Sequence, residues 1–139
     1  MGIRERYAAY AEAFEMSYND DDWSRLEQYF TDGAVYEGDP VARGRAAVIA
    51  RFKNGVDNFD RRMDSRQLTL EEAKVNGNTV TVRWESTYTK KGLPDLTITG
   101  SEFATFDGDR ISNLRDEFDP KAQKTMNDWM QQHGKALQG

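Results

Sequence analysis

The sequence predicts an α+β domain with helices packed on one side of a curved antiparallel sheet, and three observations carry that prediction. Apolar residues recur at three- and four-residue steps through most of the first 58 positions, the helical period. From about residue 65 the period becomes two, that of half-buried strands. The strand-like runs are joined by short Asn/Gly/Asp turns in the order of a meander. With 139 residues, 37% hydrophobic and 12% aromatic, the chain can bury a real core. It is read as one domain, 1–139, too short for two ordinary ones.

The elements follow in order. Ile3, Tyr7, Tyr10, Phe14 and Tyr18 predict an amphipathic helix over 4–18. The "NDDD" run at 19–22 breaks it and supplies an N-cap for a second short helix with Trp23, Leu26, Tyr29 and Phe30 on its inner side. "AVYEGDP" (34–40) is a short strand ending in a Gly/Pro turn, and Ala46, Ile49, Phe52 and Val56 mark a third helix over 44–58. Residues 65–75 read as one strand, "NGN" (76–78) as a tight turn and 79–89 as a second strand. A longer "KKGLPD" loop leads to strands 96–106 and 110–118 around "DGD". Asp119-Pro120 is a cap with a first-turn proline. It opens a last helix carrying Met126, Trp129, Met130 and Leu137, which packs on the sheet or closes over a pocket as a lid.

Composition excludes several classes. The net charge of −5 disfavours nucleic acid and anionic membranes as partners. There is no cysteine and one histidine, His133, so no disulfide framework, thiol nucleophile or poly-His metal cluster is expected. The "NDDD" run lacks the spaced ligands and glycine of a calcium loop. No metal and no cofactor is called for. No apolar run approaches a membrane span, and the N-terminus lacks a signal-peptide core, so a cytoplasmic location is expected. His133 is read as a helix-end packing residue.

Two carboxylates break the pattern. In 96–106 one face holds Leu96, Ile98, Gly100, Glu102, Ala104 and Phe106, which puts Glu102 on the apolar side. In 110–118 the same alternation sends Asp116 inward between Leu114 and Phe118. The two faces coincide if the "DGD" connection is an odd-length loop. Inward carboxylates on neighbouring strands point to a polar-lined cavity and to groups of raised pKa suited to general acid/base work. Strand 79–89 leaves two assignments open. Val80, Val82, Trp84 and Tyr88 share one face, and Arg83, Glu85, Thr87 and Thr89 the other. Either the aromatic face is core and Arg83/Glu85 a solvated pair, or the charged face looks into the pocket.

The order of elements, with "YFTDGAVYEGDP" after the second helix, "GRAAVIARF" opening the third and "DGDRISNLRDEFDP" as the last hairpin, resembles the NTF2-like superfamily in its SnoaL-like branch. The resemblance covers the chain to about residue 120. It implies a cone whose curved sheet wraps the helices around one deep, mostly apolar pocket. The nearest functional resemblance is to limonene-epoxide hydrolases. It places Arg83 and Glu85 on the family's Arg-x-Asp strand, Asp116 at the last-strand acid and Tyr36 at the water-holding tyrosine. Gly38 stands where that family has asparagine, Glu85 where it has aspartate and Leu114 where it has tryptophan. Compared with ketosteroid isomerases, Glu102 falls on the second, protonated carboxyl, Gly38 on the general base and Phe14 on the oxyanion-hole tyrosine. Asp39 could stand in for the base, and Tyr10 or Tyr18 for the hydroxyl.

The resemblance therefore implies a catalytic set of Arg83, Glu85, Asp116 and Tyr36, in which one carboxylate activates water while the other donates to a leaving oxygen. Glu102, Phe14, Tyr10, Tyr18, Leu114 and Phe106 are the candidate substrate-binding residues. The expected partner is a small hydrophobic molecule. The expected activity is cofactor-independent acid/base chemistry of epoxide hydrolase, cyclase or isomerase type, with a non-catalytic ligand-binding or dimerisation module as the alternative. If Arg83 and Glu85 face the pocket, Val80, Val82, Trp84 and Tyr88 form an apolar stripe outside, and a homodimer through it is expected.

Overall fold

The computed structural model describes residues 2–38 and 40–137. Helix α1 (Ile3–Asp20) buries Tyr7, Tyr10, Ala13 and Ser17, the steps of three and four that one helical face demands. It ends where Asp21 turns left-handed (φ 60°) and its amide bonds Ser17 O at 2.8 Å, a conformation aspartate tolerates better than most residues. The acidic run thus closes α1 as well as starting the next turn. Asp21 Oδ1 accepts the Trp23 indole N–H at 2.8 Å, and Asp22 Oδ1 accepts the Ser24 amide at 3.2 Å. That second helix is a 3₁₀ turn, Ser24–Tyr29, with Leu26 and Tyr29 buried.

Strand β1 (Phe30–Glu37) starts earlier than the expected residue 34, because Phe30 itself is fully buried beside Ile111. A short β2 (Ala42–Arg43), not foreseen, pairs with it. Asp39 lies outside the described residues. Helix α2 (Arg45–Asn58) forms close to the expected span and buries Val48 and Val56. A 3₁₀ turn, Asp60–Arg62, follows.

The strand expected over 65–75 is two, β3 (Ser65–Leu70) and β4 (Lys74–Asn76), both antiparallel to β5 (Thr79–Thr89). Leu70 opposes Trp84 and Lys74 opposes Thr81, so Glu71–Ala73 face only Val82 and Arg83. One extra residue on an edge is a β-bulge, which bends the sheet. Strands β6 (Leu96–Asp107) and β7 (Arg110–Phe118) complete an order β2-β1-β7-β6-β5-β3, with β1 and β7 parallel and the other neighbours antiparallel. Helix α3 (Pro120–His133) lies on the same face of the sheet as the other helices, packing Ala122 and Trp129 against Leu96 and Ile98. Trp129 Nε1 donates to Pro94 O at 3.0 Å. The Asp119 side chain makes no cap hydrogen bond, because it is committed elsewhere.

The face of β5 is settled by burial. Val80 and Val82 are 0% and 2% exposed and sit in the main core with Tyr7, Leu26, Phe30 and Leu114. The outer face carries Thr79, Thr81, Thr87, Thr97, Thr99 and Thr105, with Phe103 under the Arg115 guanidinium at 4.3 Å. The apolar stripe that motivated a homodimer is therefore inside the molecule.

Candidate active site

Glu102 and Asp116 meet because of a second bulge. The β6–β7 turn has two residues, not an odd number: Asp107 opposes Arg110 across Gly108-Asp109, with Gly108 at φ +65°. Carried on unbroken, that register would set Arg115 opposite Glu102. Between Phe106↔Ile111 and Thr105↔Asn113 one extra residue, Ser112, slips in, its hydroxyl donating to Thr105 O at 3.2 Å. Beyond it Ala104 opposes Leu114 and Glu102 opposes Asp116. One inserted residue flips every later side chain to the other face. The bulge exchanges a guanidinium for a carboxylate.

Both carboxyls look into a cavity of about 400 Å³ between the helices and the sheet and are otherwise enclosed by protein. Tyr7 donates to Glu102 Oε1 at 2.7 Å, and Tyr36 donates to Asp116 Oδ2 at 3.0 Å. Burial, and then the charge of Asp116, push Glu102 well above the ordinary carboxyl range. Burial also raises Asp116, but hydrogen bonds from Glu102 and Tyr36 oppose the rise. The two face each other across the β6–β7 ladder, and of the two Glu102 is favoured to keep a proton and Asp116 to ionise. Burial and the acid pair raise both tyrosine hydroxyls far above their usual range, so they stay protonated and donate to the carboxyls.

The wall is aromatic. Phe14 meets Phe52 at 5.6 Å between ring centroids, and Phe52 meets Tyr36 at 5.4 Å. Trp84 packs edge-on to Phe118 at 5.5 Å, and Met126 of α3 reaches the same space. Gly100 makes room for Trp84: a Cβ there would come within 2.6 Å of the indole and collide with Glu117 O. The Trp84 N–H is buried without a well-formed hydrogen bond among the described residues, yet lies near enough to Asp116 to favour its charged form.

A second polar group borders the cavity. Arg66 forms a two-pronged pair with Glu15 at 3.0 and 2.8 Å, bonds Asp60 at 3.3 Å, and stacks over Tyr18 at 4.4 Å. Burial raises Asp60 to about 6 against the pull of Arg66.

The structure brings together part of the expected set. Asp116, Tyr36 and Glu102 meet, and Phe14 and Tyr10 line the same cavity. Arg83 and Glu85 do not join them. They project from the outer face, Glu85 into solvent and Arg83 onto Asp119 at 2.8 and 2.6 Å. Asp119 also accepts Thr99 Oγ1 at 2.7 Å and is held at about 2. The period of β5 admits no other outcome once Val80 and Val82 are core. Leu114 and Phe106 are packed in the core, and Tyr18 sits behind Arg66. Tyr7, Phe52, Trp84, Arg51 and Arg66 were not foreseen at the site. Tyr7 was readable, because it shares the inner face of α1 with Tyr10 and Phe14. Among the described residues no group of three or more His, Cys, Asp or Glu is placed to hold a metal ion, and no helix is long and apolar enough to cross a membrane.

Comparison with known proteins agrees with this architecture. Bal32a from a soil-derived mobile gene cassette superposes with a TM-score of 0.68 at 16% identity, over 92% of this chain and 98% of that one. TerC, co-crystallised with polyporic acid, gives 0.66 at 15% identity over 91% and 98%. A de novo designed protein with a curved β-sheet gives 0.63 at 18% identity over 91% and 98%. Among curated protein sequences none matches. The family profile described as the SnoaL-like domain matches residues 7–114. The chain belongs to the SnoaL-like domain family.

Proposed function

We propose that this protein is a cofactor-independent acid/base enzyme of the isomerase or cyclase type, acting on a small, largely apolar carbonyl compound held in the cavity. The observation that carries the reading is the Glu102–Asp116 pair, two enclosed carboxyls on neighbouring strands, each with a tyrosine donor, under an aromatic wall; the reading gives the pair one shared proton. Asp116 takes a proton from the carbon beside the substrate carbonyl. The electron pair of that C–H bond moves onto the carbonyl oxygen, where the Glu102 O–H or the Tyr36 hydroxyl stabilises the enolate. The enolate then attacks a second carbonyl in the same molecule, closing a ring as that carbonyl's π pair moves to its oxygen and the oxygen takes the proton back from Asp116, or the enolate recovers the proton from Asp116 at another carbon. Both outcomes balance without an oxidant or reductant.

Epoxide opening of the kind the sequence resembles calls for an arginine between the carboxylates, and Arg83 is engaged with Asp119 on the far face. The test is solvent deuterium exchange, followed by proton NMR, on a panel of 1,3-diketones and β,γ-unsaturated ketones. The wild type should catalyse exchange at the acidic carbon, and Asp116→Asn should lower the rate by about 10²–10⁴-fold, the usual worth of a positioned base. No exchange with any member of the panel, or exchange by Asp116→Asn at the wild-type rate, would refute it.

A further inference from the structure

The two arginines of the cavity differ in one respect. Arg66 is fully paired, with Glu15 and Asp60. Arg51, on α2, lines the same cavity beside Tyr36, its guanidinium carbon 5.8 Å from that ring. It makes no salt bridge and no hydrogen bond among the described residues, and its Nε is fully buried with no acceptor. Arginines 45, 61, 83 and 115 each hold a carboxylate. Burying a guanidinium nitrogen without an acceptor is costly. Asp116, beside Tyr36, is not held by Arg51: its side-chain hydrogen bond comes from the Tyr36 hydroxyl, at 3.0 Å. The charge of Arg51 is thus not paired with any carboxylate among the described residues. It is half-buried among other residues of the cavity wall: the Tyr36 ring lies beside its guanidinium, and one terminal nitrogen is 3.4 Å from where a side-chain carbon on Gly55 would sit.

We infer that Arg51 is the anion-binding residue of the cavity, and that the natural ligand is an organic acid: a flat, largely apolar body carrying a carboxylate or an ionised enol. A planar guanidinium with two parallel N–H groups matches either anion. The apolar body lies against Phe14, Phe52 and Trp84. This refines the substrate class proposed above, and rests on the cavity being the ligand site.

The test measures binding, so it is separable from turnover. Tryptophan fluorescence and titration calorimetry would compare 2-naphthoate with 2-naphthamide, alike in shape and different in charge. A second pair, the ionised 2-hydroxy-1,4-naphthoquinone and neutral 1,4-naphthoquinone, separates an enolate from a carboxylate. In at least one pair the anion should bind about tenfold or more tightly than its neutral partner. Arg51→Met should erase that preference while leaving the neutral probe's affinity within about twofold, and Arg51→Lys should restore part of it. Circular dichroism would confirm that each variant is folded. Equal binding of anion and neutral in both pairs, an unchanged preference in Arg51→Met, or no binding of any probe at millimolar concentration would overturn the inference. Asp116→Asn should keep the preference. If it does while deuterium exchange is absent throughout, the acid/base reading fails and the anion site stands.

Discussion

The cavity has two acidic groups on its wall, and they are built in opposite ways. Around Arg66, the carboxylates of Glu15 and Asp60 are ion-paired to one guanidinium, which is itself only 7% exposed. Glu102 and Asp116 instead take hydrogen bonds from the hydroxyls of Tyr7 and Tyr36 and form no ion pair among the described residues, and burial favours the protonated form of Glu102. The first arrangement fixes α1 and the turn after α2 to strand β3. The second holds a proton in a place from which it can leave. A fold stabilised only for its own sake would gain from giving Asp116 a partner or replacing it, since buried unpaired charge is expensive. In the proposed reading, the difference separates a structural cluster from a chemical one.

The largest expected effect tests that separation by activity. Asp116→Asn should abolish most turnover while leaving the unfolding midpoint unchanged or raised, because it removes a buried charge and keeps the shape. Urea unfolding beside the exchange assay checks both halves. Arg66→Met is the converse. It should destabilise by about 1–3 kcal/mol, less than a wholly buried pair because Glu15 is 43% exposed and screened by water. Any substrate exchange rate should change far less than in Asp116→Asn. A comparable loss, about 1–3 kcal/mol, is expected from Gly100→Ala, whose added methyl meets the Glu117 carbonyl oxygen of β7 and the Trp84 indole. A shift in tryptophan emission should accompany it.

The smallest effect is in the pH dependence of stability. Glu102 has a raised pKa when folded. The stability it lends is complete below its unfolded value, 4.5, and is lost as pH rises toward the folded value. Glu102→Gln removes this loss, so its stability relative to wild type should grow by about 1.4 kcal/mol per pH unit across that window. Asp60 adds a decline of the same sign between 3.8 and about 6. Unfolding curves at pH 5, 7 and 8 would show it.

How much of this the sequence disclosed varies element by element. The helices of the first half were legible because one apolar face follows each helical period. Glu102 was legible as an inward carboxylate because β6 alternates without interruption. Its meeting with Asp116 was reached by the wrong route. Ile111 and Leu114 are both fully buried at a spacing of three, which no regular strand allows, and that spacing is the mark of the Ser112 bulge. Likewise Glu71–Ala73 interrupts a run that looked continuous, since a bulge costs one residue and leaves composition unchanged. The parallel pairing of β1 with β7, which sets Tyr36 beside the last strand, joins segments far apart in the chain and leaves no local signal. The alternation of β5 alone allows either face for Arg83 and Glu85; the resemblance puts them in the pocket, and the burial of Val80 and Val82 puts them on the outer face. The role of Arg51 depends on a missing partner, which only the folded arrangement can reveal.

The central claim is that Glu102 and Asp116 hold one proton between them near neutral pH. Carboxyl carbon-13 NMR on protein labelled at Glu and Asp side chains, titrated from pH 4 to 9, addresses it directly. The account predicts that Glu102 remains protonated at pH 7, and that Asp116→Asn lowers its titration toward, though not down to, the ordinary range, because the neighbouring charge is gone and the burial remains. Two carboxylates both ionised by pH 6, with Glu102 unmoved by Asp116→Asn, would contradict it.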